Sequence, residues 1–279
     1  TAEAAADLGL PMVFSSAASV TIEAVGEALG DAPGWFQLYW PDDRDLATSF
    51  VERAEAAGFS AIVVTVDTPM LAWRERDLDQ AYLPFLDGEG VANYFSDPVF
   101  RDRLDQPPED DELAAIQEFA AVFGNPALTF EDVEWLTETT DLDVVVKGVL
   151  HPDDAEAALA HGADAVVVSN HGGPQVDRAV AALDALPAVA ERVGDEAPVL
   201  FDSGIRRGAD VCVAMALDAD AVLLGRPFVY GLALDGADGV RDVTLNLVAD
   251  LDLTLGLSGV ADVRDVDRDL LVRAGERPG

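Results

Sequence analysis

Short apolar runs rich in β-branched residues alternate along the chain with longer stretches of helical period. Seven of these runs predict β-strands, at residues 11–16, 35–39, 61–67, 143–149, 165–170, 198–203 and 221–226. Predicted helices lie at residues 22–29, 45–57, 130–138, 152–161, 179–193 and 209–217, with a long helix from about residue 240. Gly58, Gly162 and Gly194 follow three of these helices, where a C-terminal cap favours glycine. Strands that are almost continuously apolar are typical of a parallel sheet buried on both faces, so the pattern predicts repeated βα units.

Seven βα units are one short of a (β/α)8 barrel. Because an incomplete barrel exposes two parallel edges, we expect an α/β fold of the TIM-barrel type whose first strand precedes Thr1. A doubly wound sheet is the alternative, but no GxGxxG motif follows the first predicted strand. The prediction is a single barrel domain over residues 1–279.

One long segment interrupts the alternation, from Pro69 to about residue 129. It contains six prolines, the acidic run PPEDDE and several aromatic residues. Connections of this length are usually functional or mobile. This one leaves the carboxyl end of a barrel strand, where active sites form. We therefore expect residues 70–129 to form a lid, with a surface excursion or a subunit contact as the alternative.

Acidic residues far outnumber basic ones, 53 against 17, for a formal net charge of −36. A field of this sign repels nucleic acid and anionic membranes, so we expect neither as a partner. Lys147 is the single lysine. An acidic, lysine-poor surface is typical of proteins from salt-accumulating halophiles. We expect weak folding in dilute buffer, since about 1 M salt shortens the Debye length to about 3 Å.

Other features of the composition narrow the class of protein. Hydrophobic residues make up 50% of the chain, which excludes intrinsic disorder as the main state. Cys212 is the single cysteine and cannot form an intrachain disulfide. The sequence shows no signal peptide and no apolar stretch of about 20 residues. We expect a cytoplasmic protein without a membrane span.

Polar side chains end nearly every predicted strand. They are Gln37, Tyr39, Thr65, Asp67, Lys147, Ser169, Asn170, His171, Asp202 and Arg226. Because catalytic groups of barrels lie at the carboxyl ends of strands, we expect these side chains to surround one site.

Two glycine-containing turns follow the last two predicted strands, DSGIRRGAD at residues 202–210 and GRP at residues 225–227. Backbone N–H groups, a helix N-terminus and an arginine fork together favour a phosphate dianion. The turns predict a phosphate site, with ordinary turns and surface arginines as the alternative.

The three histidines are not equivalent. His151 and His161 lie near helix ends, where a structural role is expected. His171 follows a buried strand and precedes two glycines, so it can project into a cleft, where Asp67 can stabilise its imidazolium form. Lys147 ends an apolar strand and can stabilise negative charge that develops during a reaction. No cluster has the spacing of metal ligands, so we expect no metal.

These segments together resemble a known family. The runs WFQLYW, AIVVTVDTP, VVVKGV, AVVVSNHGG, PVLFDSGIRRGADV and ALDADAVLLGRPFVYGLA are similar, in order and spacing, to the motifs of FMN-dependent α-hydroxy acid oxidases and dehydrogenases. That family includes glycolate oxidase, L-lactate oxidase and lactate 2-monooxygenase, and the segment 73–136 looks most like the monooxygenase branch. The resemblance covers nearly all of the chain.

The resemblance implies FMN as cofactor and a role for each matching residue. His171 would be the base that removes the proton of the substrate 2-hydroxyl, with Asp67 stabilising its protonated form. Lys147 would support the reduced flavin, Tyr39 would hydrogen-bond the substrate, and Arg74 would bind its carboxylate. The flavin would be lined by Ser15, Gln37, Thr65 and Ser169, and its ribityl chain and phosphate held by Asp202, Gly204, Arg206, Gly225 and Arg226. Further implications are a small L-2-hydroxy acid substrate, O2 or another electron acceptor, and a homotetramer.

The chain departs from the family pattern at residue 174. The family usually has a second carboxylate-binding arginine after SNHGG, and this chain has Pro174. A proline offers neither charge nor N–H, so a contact of about 1.5–3 kcal/mol is absent unless Arg178 replaces it. The strand expected before Thr1 is the second departure, because the family draws flavin contacts and a substrate-binding tyrosine from it.

Three alternatives to L-2-hydroxy acid oxidation stay open at this point. An FMN barrel can act on another substrate, and a truncated or degenerate homologue can bind FMN weakly without catalysis. A barrel aldolase or isomerase can use Lys147 as a Schiff-base nucleophile.

Overall fold

The computed structural model describes residues 1–272. Its strands are β1 (Met12–Ser15), β2 (Gly34–Tyr39), β3 (Ala61–Thr65), β4 (Asp143–Val149), β5 (Ala165–Val168), β6 (Val199–Phe201) and β7 (Ala221–Val222). The α-helices are α1 (Ala2–Leu8), α2 (Ile22–Leu29), α3 (Arg44–Ala56), α4 (Glu75–Gln80), α5 (Ala92–Phe95), α6 (Pro98–Arg101), α7 (Glu112–Val122), α8 (Phe130–Thr139), α9 (Pro152–Ala160), α10 (Ala182–Val193), α11 (Gly208–Ala216) and α12 (Arg226–Ser258). Short 3-10 helices lie at Pro84–Asp87, Val263–Asp265 and Arg268–Leu270.

The seven strands form one parallel sheet in the strictly sequential order β1 to β7. This order has no reversal point, so the doubly wound alternative is wrong. The sheet has the strand order of a (β/α)8 barrel, as predicted, but within residues 1–272 the outer edges of β1 and β7 have no partner strand. An apolar cavity of about 330 Å³ lies beside these two strands, lined by residues such as Leu10, Met12, Val222 and Phe228. The strand expected before Thr1 stays a prediction.

Alternate residues of each strand belong to two different hydrophobic cores. In β4, Val144 and Val146 pack in the large core that the helices share, whereas Val145 joins a smaller cluster with Val63 and Val167. Successive side chains of a strand point to opposite faces, so the smaller cluster marks the inner face of the curled sheet. Burial on both faces explains why the strands read as continuous apolar runs.

The long segment between β3 and β4 falls into two parts. Tyr94, Phe100 and Phe119 are fully buried, and the rings of Tyr94 and Phe119 meet edge to face with centroids 4.7 Å apart. Large aromatic side chains of residues 91–123 therefore pack in the core, whereas most of residues 102–114 are exposed. Residues 70–90 are more exposed, including Trp73 at 82%. Movement of this first part as a lid stays a prediction.

Some predicted helix boundaries are wrong. Helix α10 begins at Ala182 rather than residue 179, and Gly194 adopts a right-handed conformation rather than the left-handed cap seen after two other helices at Gly58 and Gly162. Helix α12 begins at Arg226, not near residue 240, and breaks at Asp235–Gly236. Its two halves cross closely, since a Cβ on Gly231 would lie 2.3 Å from the carbonyl oxygen of Gly239. The glycines that permit this crossing weaken the helical signal in the sequence.

Candidate active site

The inner face of the sheet changes from apolar to polar toward the carboxyl ends of its strands. In β3 and β4, Val63 and Val145 are followed two residues later by Thr65 and Lys147, which are register partners. Side chains two residues apart share a face, so the polar groups extend the inner apolar cluster toward the rim. The period of the strands therefore collects these groups on one face.

A hydrogen-bonded row of side chains runs across the first three strands at this rim. Ser15 Oγ donates to Gln37 Oε1 at 2.8 Å, and Gln37 Nε2 donates to Thr65 Oγ1 at 2.8 Å. Gln37 and Thr65 are both buried. Buried polar groups are nearly always hydrogen-bonded, and these three side chains satisfy one another across the inner face of the sheet.

His171 and Asp67 form a hydrogen-bonded pair. His171 Nδ1 lies 2.9 Å from Asp67 Oδ1, and Lys147 Nζ lies 3.9 Å from Asp67 Oδ2. Burial alone raises the pKa of Asp67, but the hydrogen bond from His171 and the charge of Lys147 outweigh it and lower that pKa below its usual value. An ionised Asp67 accepts the Nδ1 proton of His171, which leaves Nε2 as the nitrogen with a free lone pair.

Lys147 also contacts groups on the strands beside it. Its Nζ donates to Ser169 Oγ at 3.1 Å and lies 3.4 Å from Asp202 Oδ2. A register shift between Lys147 and Val149 places Gly148 opposite Asp67 with φ of +113°. A Cβ at residue 148 would lie 2.7 Å from the Asp67 Cβ. Glycine there is therefore what allows the carboxylate to approach the strand that carries the lysine.

The backbone of His171 is held in a left-handed conformation, with φ of +60°. Its N–H donates to Ser169 Oγ at 3.0 Å, while the N–H groups of Asn170 and Gly172 both donate to Ser203 Oγ at 3.1 Å. A non-glycine residue rarely adopts this conformation without surrounding support. The two serine hydroxyls thus fix the direction of the histidine side chain.

Tyr39 and Arg74 are the two remaining predicted substrate-binding residues, and Tyr39 lies beside the Nε2 atom of His171. Tyr39 Oη lies 3.4 Å from His171 Nε2, and burial together with the charge of Asp67 raises the pKa of Tyr39 to about 12. Its phenol is therefore protonated across the working pH range. Arg74 Nη2 donates to Gln175 Oε1 at 2.6 Å, whereas the buried Arg74 Nε has no hydrogen-bond partner among the described residues. A buried guanidinium N–H without a partner is suited to a carboxylate ligand.

A second cavity, of about 230 Å³, adjoins His171 and lies at the ends of β6 and β7. It is lined by His171, Gly172, Asp202, Ser203, Gly204, Ile205, Arg206, Leu223, Gly225, Arg226 and Pro227. A Cβ on Gly204 or Gly225 would meet nothing within 4 Å, so these glycines face open space. Within residues 1–272, neither Arg206 nor Arg226 forms an ion pair, although the protein is rich in carboxylates. Helix α12 begins at this cavity, and its N-terminus adds N–H donors.

The structure brings every predicted site residue to the same end of the sheet. Within residues 1–272, neither His151 nor His161 bonds a predicted site residue: His151 is the N-cap of α9, and His161 Nδ1 lies 2.7 Å from the Ala157 carbonyl oxygen. No group of three or more potential metal ligands occurs within the described part of the chain. Arg178 is exposed, with no side-chain bond to a site residue among residues 1–272. A role for Arg178 in place of the arginine that Pro174 replaces stays a prediction.

Sequence reasoning missed four residues of this site. They are Thr68, Gly148, Gln175 and Ser203. Each of these residues bonds or makes room for another site residue and is not itself a polar side chain at the end of a strand. A search for polar strand ends therefore does not find it. Ser203 lies within the turn already singled out for phosphate, and the dipeptide Lys147-Gly148 is an irregular end for a strand.

Comparisons with known proteins agree with this arrangement. The model of the FMN-dependent dehydrogenase family matches residues 1–273. An L-lactate oxidase of Lysinibacillus sphaericus is 42% identical over 270 residues, which are 97% of this chain and 69% of the relative. The 2-hydroxyacid oxidase 1 of Homo sapiens is 39% identical over 273 residues, 97% of this chain and 72% of the relative. A crystal structure of a putative lactate oxidase of Pediococcus acidilactici superposes with a TM-score of 0.82 at 36% identity, covering 96% of this chain and 68% of that one.

The fold and the site therefore define a flavin-dependent oxidoreductase that acts on the CH–OH group of 2-hydroxy acids. The chain belongs to the FMN-dependent dehydrogenase family. Its cofactor is FMN. Arg206 and Arg226, which form no ion pair within the described part of the chain, suit the phosphate dianion of that cofactor at the open glycine turns. Membership of this family also removes the Schiff-base aldolase alternative. No helix within residues 1–272 is long and apolar enough to cross a membrane.

Arg226→Ala should weaken FMN binding by about 10–100-fold, because one charge-assisted contact to the phosphate contributes about 1.5–3 kcal/mol. Equilibrium dialysis or flavin fluorescence titration of the apoprotein measures this affinity. Arg264→Ala is the matched control, since it changes the net charge equally and Arg264 is 83% exposed in its side chain. Equal FMN affinity of the two variants would show that Arg226 does not hold the phosphate.

Proposed function

We propose that this protein oxidises a short L-2-hydroxy acid such as L-lactate to the 2-oxo acid, with O2 or another acceptor reoxidising the cofactor. The observation that carries the proposal is the pair His171–Asp67, which presents a free imidazole nitrogen beside Tyr39 at the rim. A homotetrameric assembly and a cytoplasmic location belong to the same proposal and rest on the resemblance and the sequence.

His171 acts as the base in this proposal. Its Nε2 takes the proton of the substrate 2-hydroxyl, and Asp67, 2.9 Å from Nδ1, stabilises the imidazolium that results. Although burial raises the pKa of Asp67, the hydrogen bond from His171 and the charge of Lys147 lower it below its usual value, so the charged form of its carboxylate is favoured. The strained backbone at residue 171 fixes the ring in advance, so no reorientation is needed during the reaction.

Tyr39 and Arg74 position the substrate. The protonated phenol of Tyr39 donates a hydrogen bond near Nε2, and the guanidinium of Arg74 binds the carboxylate with the donors that Gln175 leaves unused. Together they direct the 2-hydroxyl toward His171. The geometry favours a substrate that carries a carboxylate next to the carbon that is oxidised.

FMN, when bound, supplies a two-electron acceptor for the substrate carbon. Ser15, Gln37, Thr65, Ser169 and Lys147 line its ring in this proposal. The fixed charge of Lys147, 12% exposed, can stabilise negative charge that appears there. Asp202, Gly204, Arg206, Gly225 and Arg226 hold the ribityl chain and phosphate.

Anaerobic titration tests the proposed function. The FMN-loaded protein, kept in about 2 M KCl to screen its net charge of −36, is mixed with L-lactate, and D-lactate serves as the matched control. We expect L-lactate to bleach the flavin absorbance and D-lactate to leave it unchanged. A yellow protein that no 2-hydroxy acid bleaches would overturn the substrate assignment and leave the cofactor assignment intact.

Pro174→Arg should tighten the binding of carboxylate substrates, because it restores a cation in the loop that also carries Gln175. A charge-assisted contact of about 1.5–3 kcal/mol predicts a fall in KM for L-lactate of about tenfold or more. Initial rates over a range of L-lactate concentrations measure the change, and Pro174→Gln separates the effect of charge from the loss of proline. An unchanged KM would mean that a cation at residue 174 adds nothing to the binding of the substrate carboxylate by Arg74.

A further inference from the structure

Gln175 connects the two halves of the site. Its Oε1 accepts a hydrogen bond from Arg74 Nη2 at 2.6 Å. Its Nε2 donates to the Asp67 carbonyl oxygen and to Thr68 Oγ1, each at 3.1 Å. One half-buried amide therefore joins the cation proposed for the substrate carboxylate to the segment that carries the partner of the base.

The hydrogen bond from Gln175 to Thr68 orients the hydroxyl hydrogen of Thr68. A threonine hydroxyl has one hydrogen to donate, and its oxygen accepts from Gln175. The hydroxyl hydrogen is then free to point to Asp67 Oδ1, which lies 2.9 Å from Thr68 Oγ1. Asp67 Oδ1 thus accepts from both Thr68 and His171, and this double contact holds the carboxylate against the imidazole N–H.

The hydrogen bond between Gln175 and Arg74 orients the guanidinium group of Arg74. The guanidinium carries five N–H donors in a rigid fork, and Gln175 occupies one of them. Arg74 Nε is buried and has no hydrogen-bond partner among the described residues. A neutral amide fixes the fork without neutralising it, so the full positive charge stays available to a carboxylate ligand.

We propose that Gln175 is a positioning residue that aims Arg74 at the substrate carboxylate and, through Thr68, holds Asp67 against His171. The inference rests on the proposed function, since it assigns Arg74 and His171 the roles given above. It predicts two separable effects, one on substrate affinity through Arg74 and one on turnover through Thr68.

Gln175→Glu tests the first effect. The introduced carboxylate is nearly isosteric, binds Arg74 more strongly than the amide and competes with the substrate, and it cannot donate to Thr68. We expect KM for L-lactate to rise by about 10–100-fold, with a smaller fall in kcat. Val176→Ala is the matched control in the same loop, because Val176 is 66% exposed and its side chain has no polar atom that could bond Arg74 or Thr68. A KM for Gln175→Glu within twofold of that of the control would overturn the proposal.

Thr68→Val and Thr68→Ser test the second effect. Valine keeps the volume of threonine and removes the hydroxyl, so we expect kcat to fall by about tenfold with little change in KM. Serine keeps the hydroxyl and should restore kcat to within about threefold of the parent. Equal kcat values for the two variants would show that the hydroxyl does not position Asp67. A purely structural role of Thr68 would give the same equal values, so this outcome contradicts the proposal.

A binding measurement keeps the inference independent of turnover. Oxalate, a dicarboxylate that cannot be oxidised at an alcohol carbon, is titrated by calorimetry into the FMN-loaded parent, Gln175→Glu and Val176→Ala proteins. We expect Gln175→Glu to raise the oxalate Kd by about tenfold or more and Val176→Ala to leave it unchanged. If L-lactate fails to bleach the parent, the proposed function fails, whereas an unchanged oxalate Kd in Gln175→Glu overturns the role of Gln175 itself.

Discussion

His171→Ala should slow flavin reduction by L-lactate by about 10²–10⁴-fold while FMN stays bound. The substitution removes the imidazole that contacts Asp67 and Tyr39, and Tyr39, with a pKa of about 12, cannot accept a proton in its place. The FMN phosphate contacts proposed for Arg206 and Arg226 do not pass through this side chain. Anaerobic stopped-flow measurement of flavin absorbance gives the rate, and the absorbance before mixing gives the bound FMN.

His151→Ala is the control for this experiment. His151 is 64% exposed in its side chain and caps helix α9 through Asp153, so its loss should cost about 1 kcal/mol of stability and leave the reduction rate unchanged. A His171→Ala protein that reduces flavin at the parental rate would show that the base lies elsewhere.

Arg74→Met should lower kcat/KM for L-lactate by about 100-fold, since the substrate carboxylate loses its only proposed cation in a chain that has Pro174 in place of a second arginine. Methionine keeps much of the length and the apolar stem of arginine, so the change isolates the guanidinium. Most of the loss should appear in KM, because a carboxylate is bound in the ground state as well as in the transition state. Initial-rate kinetics separate KM from kcat.

Two further variants sharpen the interpretation of Arg74. Arg74→Lys keeps the charge but not the planar fork and should recover only part of the affinity. Arg76→Met removes an exposed arginine two residues away and changes the net charge equally. If Arg74→Met and Arg76→Met have the same kcat/KM, the carboxylate is bound by another group.

The sequence predicted which polar residues lie at the rim of the sheet because strand periodicity and strand ends are local properties. Lys147 follows Val145 by two residues, as Thr65 follows Val63, so the alternation alone assigns both polar side chains to the inner face. Parallel strands then bring their carboxyl ends to one rim whatever the length of the connections. The family motifs around SNHGG and DSGIRRG are similarly local, and both lie at this rim.

The structure of the long connection between β3 and β4 could not be predicted from local sequence pattern in the same way. Its residues 91–123 have weak helical periodicity and many prolines, yet Tyr94 and Phe119 are fully buried. Burial there depends on contacts with distant elements, such as the bond from the Ile22 N–H to Asn93 Oδ1 across 71 residues. Local pattern carries no information about such partners, so the sequence could not show which side chains of this segment pack in the core.

The sequence by itself determined the repeated βα units and the polar rim, and it indicated the proposed base His171 with Lys147 and Asp67, because these follow from residue type and from a period of two along each strand. Only the tertiary structure decided how the rim groups are oriented. It placed Gln175 against Arg74 across 101 residues and set Gly148 where Asp67 approaches the sheet. Orientation depends on hydrogen bonds and close contacts between segments far apart in the chain, which exist only once the sheet has curled and its loops meet.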